Sequence, residues 1–327
     1  MNEVQIIGTG SYAPLNIMTN HQLAEIVDTS DEWIFSMTGI KQRHISIGEN
    51  TSDLATKAAI CALKDANVNP EDIDLIIVAS TSPDQFVPAT ACMVQGSIGA
   101  VNAMAFDISA ACTGFIFALN IAMQFIKTGK SKRALIIGAD VLSKIVDWTD
   151  RNTCILFGDG AGAAIIESSS IPGIISINSS SEGKKGNVLT CPTVDVKNTF
   201  TKGTENFKAT INMDGKEIFK FAVKIIASSI DKILIENNYT MADIKYVVCH
   251  QANFRIIDFV VRRLKADKEK FFVNLDKYGN TSSASIPIAM DEMNKNNLLK
   301  AGDKIILVGF GGGLTYGASL IEWTINK

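Results

Sequence analysis

Short runs of aliphatic and β-branched residues recur along the chain at 4–7, 75–80, 104–108, 133–138, 162–167, 174–178, 246–250, 271–274, 304–309 and 318–323. Between most of them the apolar positions take up a helical pattern, as at 52–66, 112–127, 215–236, 253–264 and 283–296. Strand-like runs alternating with helical ones predict an α/β fold with largely parallel sheets. Runs such as Ala134-Leu135-Ile136-Ile137 carry no polar alternation, which predicts sheets covered on both faces. The longest apolar stretch, 113–126, is broken by Asn120 and Gln124. It is too short to span a bilayer and predicts a buried helix.

The pattern repeats. Glu71-Asp72-Ile73-Asp74-Leu75-Ile76-Ile77-Val78 resembles Ala242-Asp243-Ile244-Lys245-Tyr246-Val247-Val248-Cys249 at an offset of 171. Arg133-Ala134-Leu135-Ile136-Ile137-Gly138 matches Lys304-Ile305-Ile306-Leu307-Val308-Gly309 at the same offset. Gly162-Ala163-Ala164-Ile165-Ile166-Glu167 then matches Gly317-Ala318-Ser319-Leu320-Ile321-Glu322 at 155. Three matches in order predict two similar halves, 1–171 and 172–327, that bury their sheets against each other. The drop of 16 in the offset places an insertion between about 139 and 161. Long insertions in compact domains are often functional, which singles out Trp148 and Arg151.

Composition narrows the classes. A chain of 327 residues with 46% hydrophobic and 20% charged residues is globular, long enough for two domains or one built of two halves. With a net charge of −3 and no basic block it is not expected to bind nucleic acid. The six cysteines, at 61, 92, 112, 154, 191 and 249, form no C-x-x-C pair, so zinc and thioredoxin readings fail. They read as reduced thiols of a cytoplasmic protein, and Met1-Asn2-Glu3 lacks the basic flank of a signal peptide.

Cys112 is the sharpest chemical candidate. It follows the strand at 104–108 and opens an apolar helix, where the dipole and the free N–H groups favour thiolate and can hold an oxyanion. The other cysteines read as buried, inert thiols. His250 ends a strand just before a helix, the position where α/β sheets place their sites, although a buried structural histidine fits equally well. His21 and His44 read as surface or structural. No metal site is expected, since Cys249 and His250 are adjacent and would face opposite ways. Asn280, within Tyr278-Gly279-Asn280-Thr281-Ser282, reads alone as a turn, but the repeat places it near the counterpart of the Cys112 junction. The glycine runs at 158–162 and 309–313 match no nucleotide-phosphate motif and read as tight turns or as bare backbone against a substrate.

Taken together, these contexts resemble the β-ketoacyl-acyl-carrier-protein synthase III family over essentially the whole chain. The resemblance rests on Gly8-Thr9-Gly10-Ser11-Tyr12, Asp28-Thr29-Ser30-Asp31-Glu32-Trp33-Ile34, the segment 107–115, and Phe157-Gly158-Asp159-Gly160-Ala161-Gly162. It rests equally on His250-Gln251-Ala252-Asn253, Gly279-Asn280-Thr281-Ser282 and Phe310-Gly311-Gly312-Gly313. It implies a thiolase-like fold, two βαβαβαββ halves in a five-layered αβαβα arrangement. The implied reaction is a Claisen condensation of an acyl-CoA with malonyl-acyl-carrier protein, without a cofactor. Cys112 would be the nucleophile, His250 and Asn280 the enolate donors, and the Cys112 and Gly312 N–H groups the oxyanion hole. Trp33 and Arg151 would hold the CoA adenine, and Val87 would line the acyl pocket of a homodimer partner. Gln251, Ala252, Asn253, Phe254, Arg255 and Lys220 would meet the carrier protein. The family usually has Arg where Met37 stands.

Other classes share parts of this pattern. Papain-like cysteine hydrolases also run Cys, His, Asn in chain order, but Ala110-Ala111-Cys112-Thr113-Gly114 is not their local signature. A carrier-binding scaffold without activity is argued against by the intact Cys, His and Asn set. A sibling condensing enzyme with another acceptor shares every motif.

Overall fold

The computed structural model describes residues 3–204 and 207–326. In chain order the strands are β1 (Glu3–Tyr12), β2 (Ile17–Thr19), β3 (Gln42–His44), β4 (Leu75–Ala79), β5 (Met104–Ile108), β6 (Arg133–Asp140), β7 (Gly160–Ser169), β8 (Ile174–Ser181), β9 (Leu189–Thr190), β10 (Asn212–Met213), β11 (Tyr246–Cys249), β12 (Lys304–Gly311) and β13 (Thr315–Glu322). The helices are α1 (Asn20–Ala24), α2 (Asp31–Thr38), α3 (Thr51–Ala66), α4 (Thr90–Ile98), α5 (Gly114–Lys127), α6 (Arg151–Cys154), α7 (Gly215–Glu236), α8 (Phe254–Leu264), α9 (Leu275–Tyr278) and α10 (Ser285–Lys295).

Two sheets carry the fold. The first runs β1-β7-β6-β4-β5 and the second β8-β13-β12-β11. In the first, β4 lies parallel to β5 and β6, with Leu75 opposite Met104 on one side and Ala134 on the other. In the second, β11 lies parallel to β12, and both sheets turn antiparallel at their outer strands. The alternation of side chains then builds the layers. Leu75, Ile77 and Ala79 face inward onto α5 and α10, while Ile76 and Val78 face outward onto α3 and α4. Ile305 and Leu307 meet the same central helices from the other side, and Ile306 and Val308 cover α7 and α8. The result is the thiolase-like five-layered αβαβα stack, with α5 and α10 in the middle.

The connection from β6 to β7, residues 141–159, is longer by the required 16 than its counterpart 312–314 between β12 and β13. Trp148 in that insertion turns inward. Its indole donates to Ser143 O, and it packs among Leu23, Ile34 and Val146. One expected strand is lost. Residues 271–274 pair with β11 only through the bridge of Phe271 to Val247, with the Phe272 N–H donating to Val247 O. Beyond it the Gln251 side chain takes over the ladder, donating to Phe272 O and accepting from the Asn274 N–H. Among the described residues no helix is long and apolar enough to cross a membrane.

Glycines at equivalent positions let the central helices approach. A Cβ on Gly138 would lie 2.2 Å from Ser283 O, and one on Gly162 2.7 Å from Ile288 N, both backbone atoms of the second half. On the second sheet, Gly309 and Gly317 lie against Ile116 of α5. Gly138→Ala should therefore cost about 1–3 kcal/mol through a clash that no rotamer relieves. Gly96→Ala, in the open on α4, should stay within about 1 kcal/mol of the parent. Thermal unfolding of the two variants side by side checks the contrast; equal midpoints would contradict it.

Candidate active site

Cys112 lies in a 3₁₀ turn, Ala111–Thr113, between the end of β5 and the start of α5. The turn is strained: Ala111 has φ 46°, a left-handed conformation costing about 1–2 kcal/mol outside glycine. Its counterpart is Ser282, 171 positions on, with φ 51°, in the 3₁₀ turn Ser282–Ala284 before α10. The same non-glycine strain at the same point of both halves marks the two turns as a pair, and such strain clusters at functional sites. The second turn begins two residues after Asn280.

Bare backbone closes on the thiol from β12. A Cβ on Gly311 would fall 2.7 Å from the Cys112 N, so only glycine fits. Cys112, 8% exposed, opens into a cavity of about 350 Å³ together with Gly312, Ser282, Leu142, Phe157 and Ile211. His250, 2% exposed, follows β11. Its N–H donates to Val308 O, its Nδ1 lies 2.6 Å from Ser285 Oγ, and its ring meets Phe310 edge-on at 5.5 Å. Asn280, 6% exposed, is bridged to Phe157, and its Oδ1 accepts from the Ser282 N–H. That bond leaves the Asn280 Nδ2 donors for a ligand.

A second cavity of about 730 Å³ lies outside the first and shares Ile211 with it. Trp33, Met37, Lys220, Asn253 and Arg255 line it. Asn253 caps α8, accepting from the Arg255 N–H and donating to Met37 O, while Arg255 Nη1 reaches Met37 Sδ. Arg151 does not face Trp33 across a gap. Its guanidinium rests on the indole, 5.0 Å from the ring centroid, and donates to Asp28 O. A base between them needs about 7 Å, twice the usual contact distance of ~3.5 Å, so Arg151 must swing away to admit one.

Two expectations change here. Gln251 is 1% exposed with its amide spent on Cys249 O, Phe272 O and Asn274 N, so it belongs to the core and not to a docking face. Phe254 and Ala252 are only half-buried, and Phe254 lies under Lys268. Val87, 83% exposed, lines neither cavity of its own chain. The second concerns the thiol. Burial pushes Cys112 up to about 12, with Asp140 adding to the rise and Ser282 opposing it, so the resting group is a thiol despite the helix start. Burial also pushes His250 down to about 3, leaving a neutral imidazole.

Asp140 and Ser282 were missed by sequence reasoning. Asp140 is fully buried and draws together Thr81 and Ser82 at the end of β4 with Ser283 of the second half. Its position at the end of an apolar strand was the available signal.

A buried cysteine against a glycine run, in a duplicated five-layered frame, defines a thiolase-fold condensing enzyme. Residues 106–183 match the family described as 3-oxoacyl-[acyl-carrier-protein (ACP)] synthase III, and 234–323 match its C-terminal part. The chain is 57% identical over 324 residues to β-ketoacyl-[acyl-carrier-protein] synthase III of Clostridium acetobutylicum, covering 99% of this chain and 100% of that protein. The crystal structure of 3-oxoacyl-[acyl-carrier-protein] synthase III from Aquifex aeolicus VF5 superposes with TM-score 0.92 at 46% identity, covering 98% and 100% of the two chains. The priming β-ketosynthase from the R1128 polyketide biosynthetic pathway superposes with TM-score 0.93 at 31% identity, covering 100% and 98%. The chain belongs to the β-ketoacyl-acyl-carrier-protein synthase III family and is an acyltransferase.

The neutral His250 has a consequence for stability. Its folded value, about 3, lies below the ordinary 6.5, so the unfolded chain binds a proton there that the folded chain refuses. That contribution is present above pH 6.5 and is lost as pH falls from 6.5 toward 3. His250→Gln should flatten the fall in stability across that window, measured by denaturant unfolding at a series of pH values. An unchanged slope would mean that His250 takes up a proton in the folded protein.

Proposed function

We propose that this acyltransferase performs the initiating condensation of dissociated fatty-acid synthesis through Cys112, His250 and Asn280. The observation that carries the reading is that one thiol and two neutral donors are each buried, with the donors' other polar ends already tied back and the Cys112 turn packed on the turn that holds Asn280. In the first half-reaction the Cys112 sulfur attacks the acyl-CoA thioester. The acyl–sulfur bond to CoA breaks, and the proton of the thiol leaves with the CoA sulfur. The Cys112 and Gly312 N–H groups hold the oxyanion. In the second, malonyl-acyl-carrier protein loses CO2, and His250 and Asn280 donate to the enolate oxygen. The carbanion attacks the acyl-cysteine, the acyl–sulfur bond to Cys112 breaks, and the departing thiolate takes up one proton from solvent. The balance requires no redox cofactor.

The proposed division of the chain, at 171 and 172, follows from the repeat and gives the thiol to one half and the two donors to the other. The wide outer cavity is proposed for the CoA and pantetheine arms, with Trp33 and a displaced Arg151 at the adenine. Lys220, Asn253 and Arg255 stand at its rim for the carrier. The two cavities meet at Ile211, and neighbouring sites of this kind suit a ping-pong order in which CoA leaves before the carrier arrives. A homodimer is proposed because Phe86 and Val87 are exposed apolar residues with no role in their own cavities. Six free thiols suit a cytoplasmic setting.

Cys112→Ala should lose covalent labelling by acyl-CoA and condensation but retain decarboxylation of malonyl-carrier. Asn280→Ala should still be acylated while decarboxylation falls about 10²–10³-fold. Intact-protein mass spectrometry and CO2 release measure the two halves. Loss of decarboxylation in folded Cys112→Ala, or of labelling in Asn280→Ala, would contradict the assignment. Val87→Phe should shift starter preference toward acetyl-CoA over branched acyl-CoA, measured by competition for Cys112; an unchanged ratio would remove Val87 from the pocket.

A further inference from the structure

We propose that Ser285 is a positioning residue that holds His250 in the tautomer with its proton on Nε2. Ser285 Oγ, 2% exposed, has two hydrogen-bond partners among the described residues. One is the Gln251 N–H, a donor, at 3.4 Å. The other is His250 Nδ1 at 2.6 Å. A hydroxyl has one proton to give, and an N–H cannot accept it, so it goes to Nδ1. The reverse arrangement, with Nδ1–H donating to Oγ, leaves the buried hydroxyl proton without an acceptor, which is costly. A neutral imidazole that accepts at Nδ1 carries its proton on Nε2. Burial keeps the ring neutral, so no second proton overrides this choice.

The lock deepens the reading of His250 as an enolate donor and rests on it. It separates the two roles open to this histidine. With Nε2 protonated, the ring gives a hydrogen bond to the developing enolate and has no free lone pair for the Cys112 proton. Ser285 also belongs to the segment that orients the other donor, since Asn280 Oδ1 is held by the Ser282 N–H three residues earlier. One stretch, 280–285, therefore aims both groups.

The test uses the full-length enzyme labelled with ¹⁵N-histidine. The chain has three histidines, and His250→Gln assigns the third signal. The parent should show Nε2–H at His250, and Ser285→Ala should show a mixture or Nδ1–H. Decarboxylation of malonyl-carrier should fall about tenfold or more, approaching the loss of a donor, while acylation of Cys112 by acyl-CoA stays within about twofold. Ser285→Thr, which keeps the hydroxyl, should restore both the tautomer and the rate. An Nδ1–H tautomer in the parent, an unaltered tautomer in Ser285→Ala, or equal losses in both half-reactions would overturn the lock. A changed tautomer with unchanged decarboxylation would leave the lock standing and overturn instead the role of His250 as donor, as His250→Gln would then also show.

Discussion

Asp140 is fully buried, and no cation forms an ion pair with it among the described residues. Its oxygens are satisfied instead by hydroxyls and backbone N–H groups. Oδ1 accepts from Ser80, Thr81 and Ser82, and Oδ2 from Ser283. A buried carboxylate without such partners would be severely destabilising. The charge therefore requires that the end of β4 and the turn before α10 stay where they are. Ser283 in turn donates to Ala79 O, tying the second half to the first strand of the site. Thr81 and Ser282, on either side of this knot, line the inner cavity with Cys112.

The frame was legible because its elements are long, apolar and repeated. Strands such as 133–140 and 304–311 carry uninterrupted aliphatic runs, and the central helices bury Phe115, Leu119, Ala289 and Met290. The insertion was legible as arithmetic, from a change in offset. Residues 271–274 read as a strand from the same apolar signal. That reading failed because a side-chain amide from Gln251, more than 20 residues away, displaced the backbone partner. Local pattern carries no trace of such a substitution.

The candidate site was legible in part, and for a different reason. Cys112, His250 and Gly312 stand in short motifs after strand ends, and Asn280 in one between α9 and the turn before α10, where chain geometry already restricts what they can face. Their surroundings are not local. The hydroxyls around Asp140 come from residues 80 to 283, so nothing near Asp140 in sequence announces them. The protonation of Cys112 was misjudged on the same ground. A helix start is visible in a sequence, but the depth at which the fold buries it is not, and here burial wins.

The first residue of α5 and the turn before α10 are in contact, since a Cβ on Gly114 would lie 3.3 Å from Ser283 Cβ. The pseudo-twofold that relates the halves thus brings two like helix ends together, each worth roughly half a positive charge. Near such an axis the potentials of the two ends add, although the field components across the axis cancel. The pair amounts to about one positive charge in a medium of low polarisability, and the Asp140 carboxyl group lies beside it, accepting from Ser283. Duplication of a half-unit around this axis creates an anion-seeking point before any catalytic side chain is chosen. In the resting protein Asp140 answers that field from within the core, and any negative charge that develops along the axis forms where the backbone is already polarised to receive it.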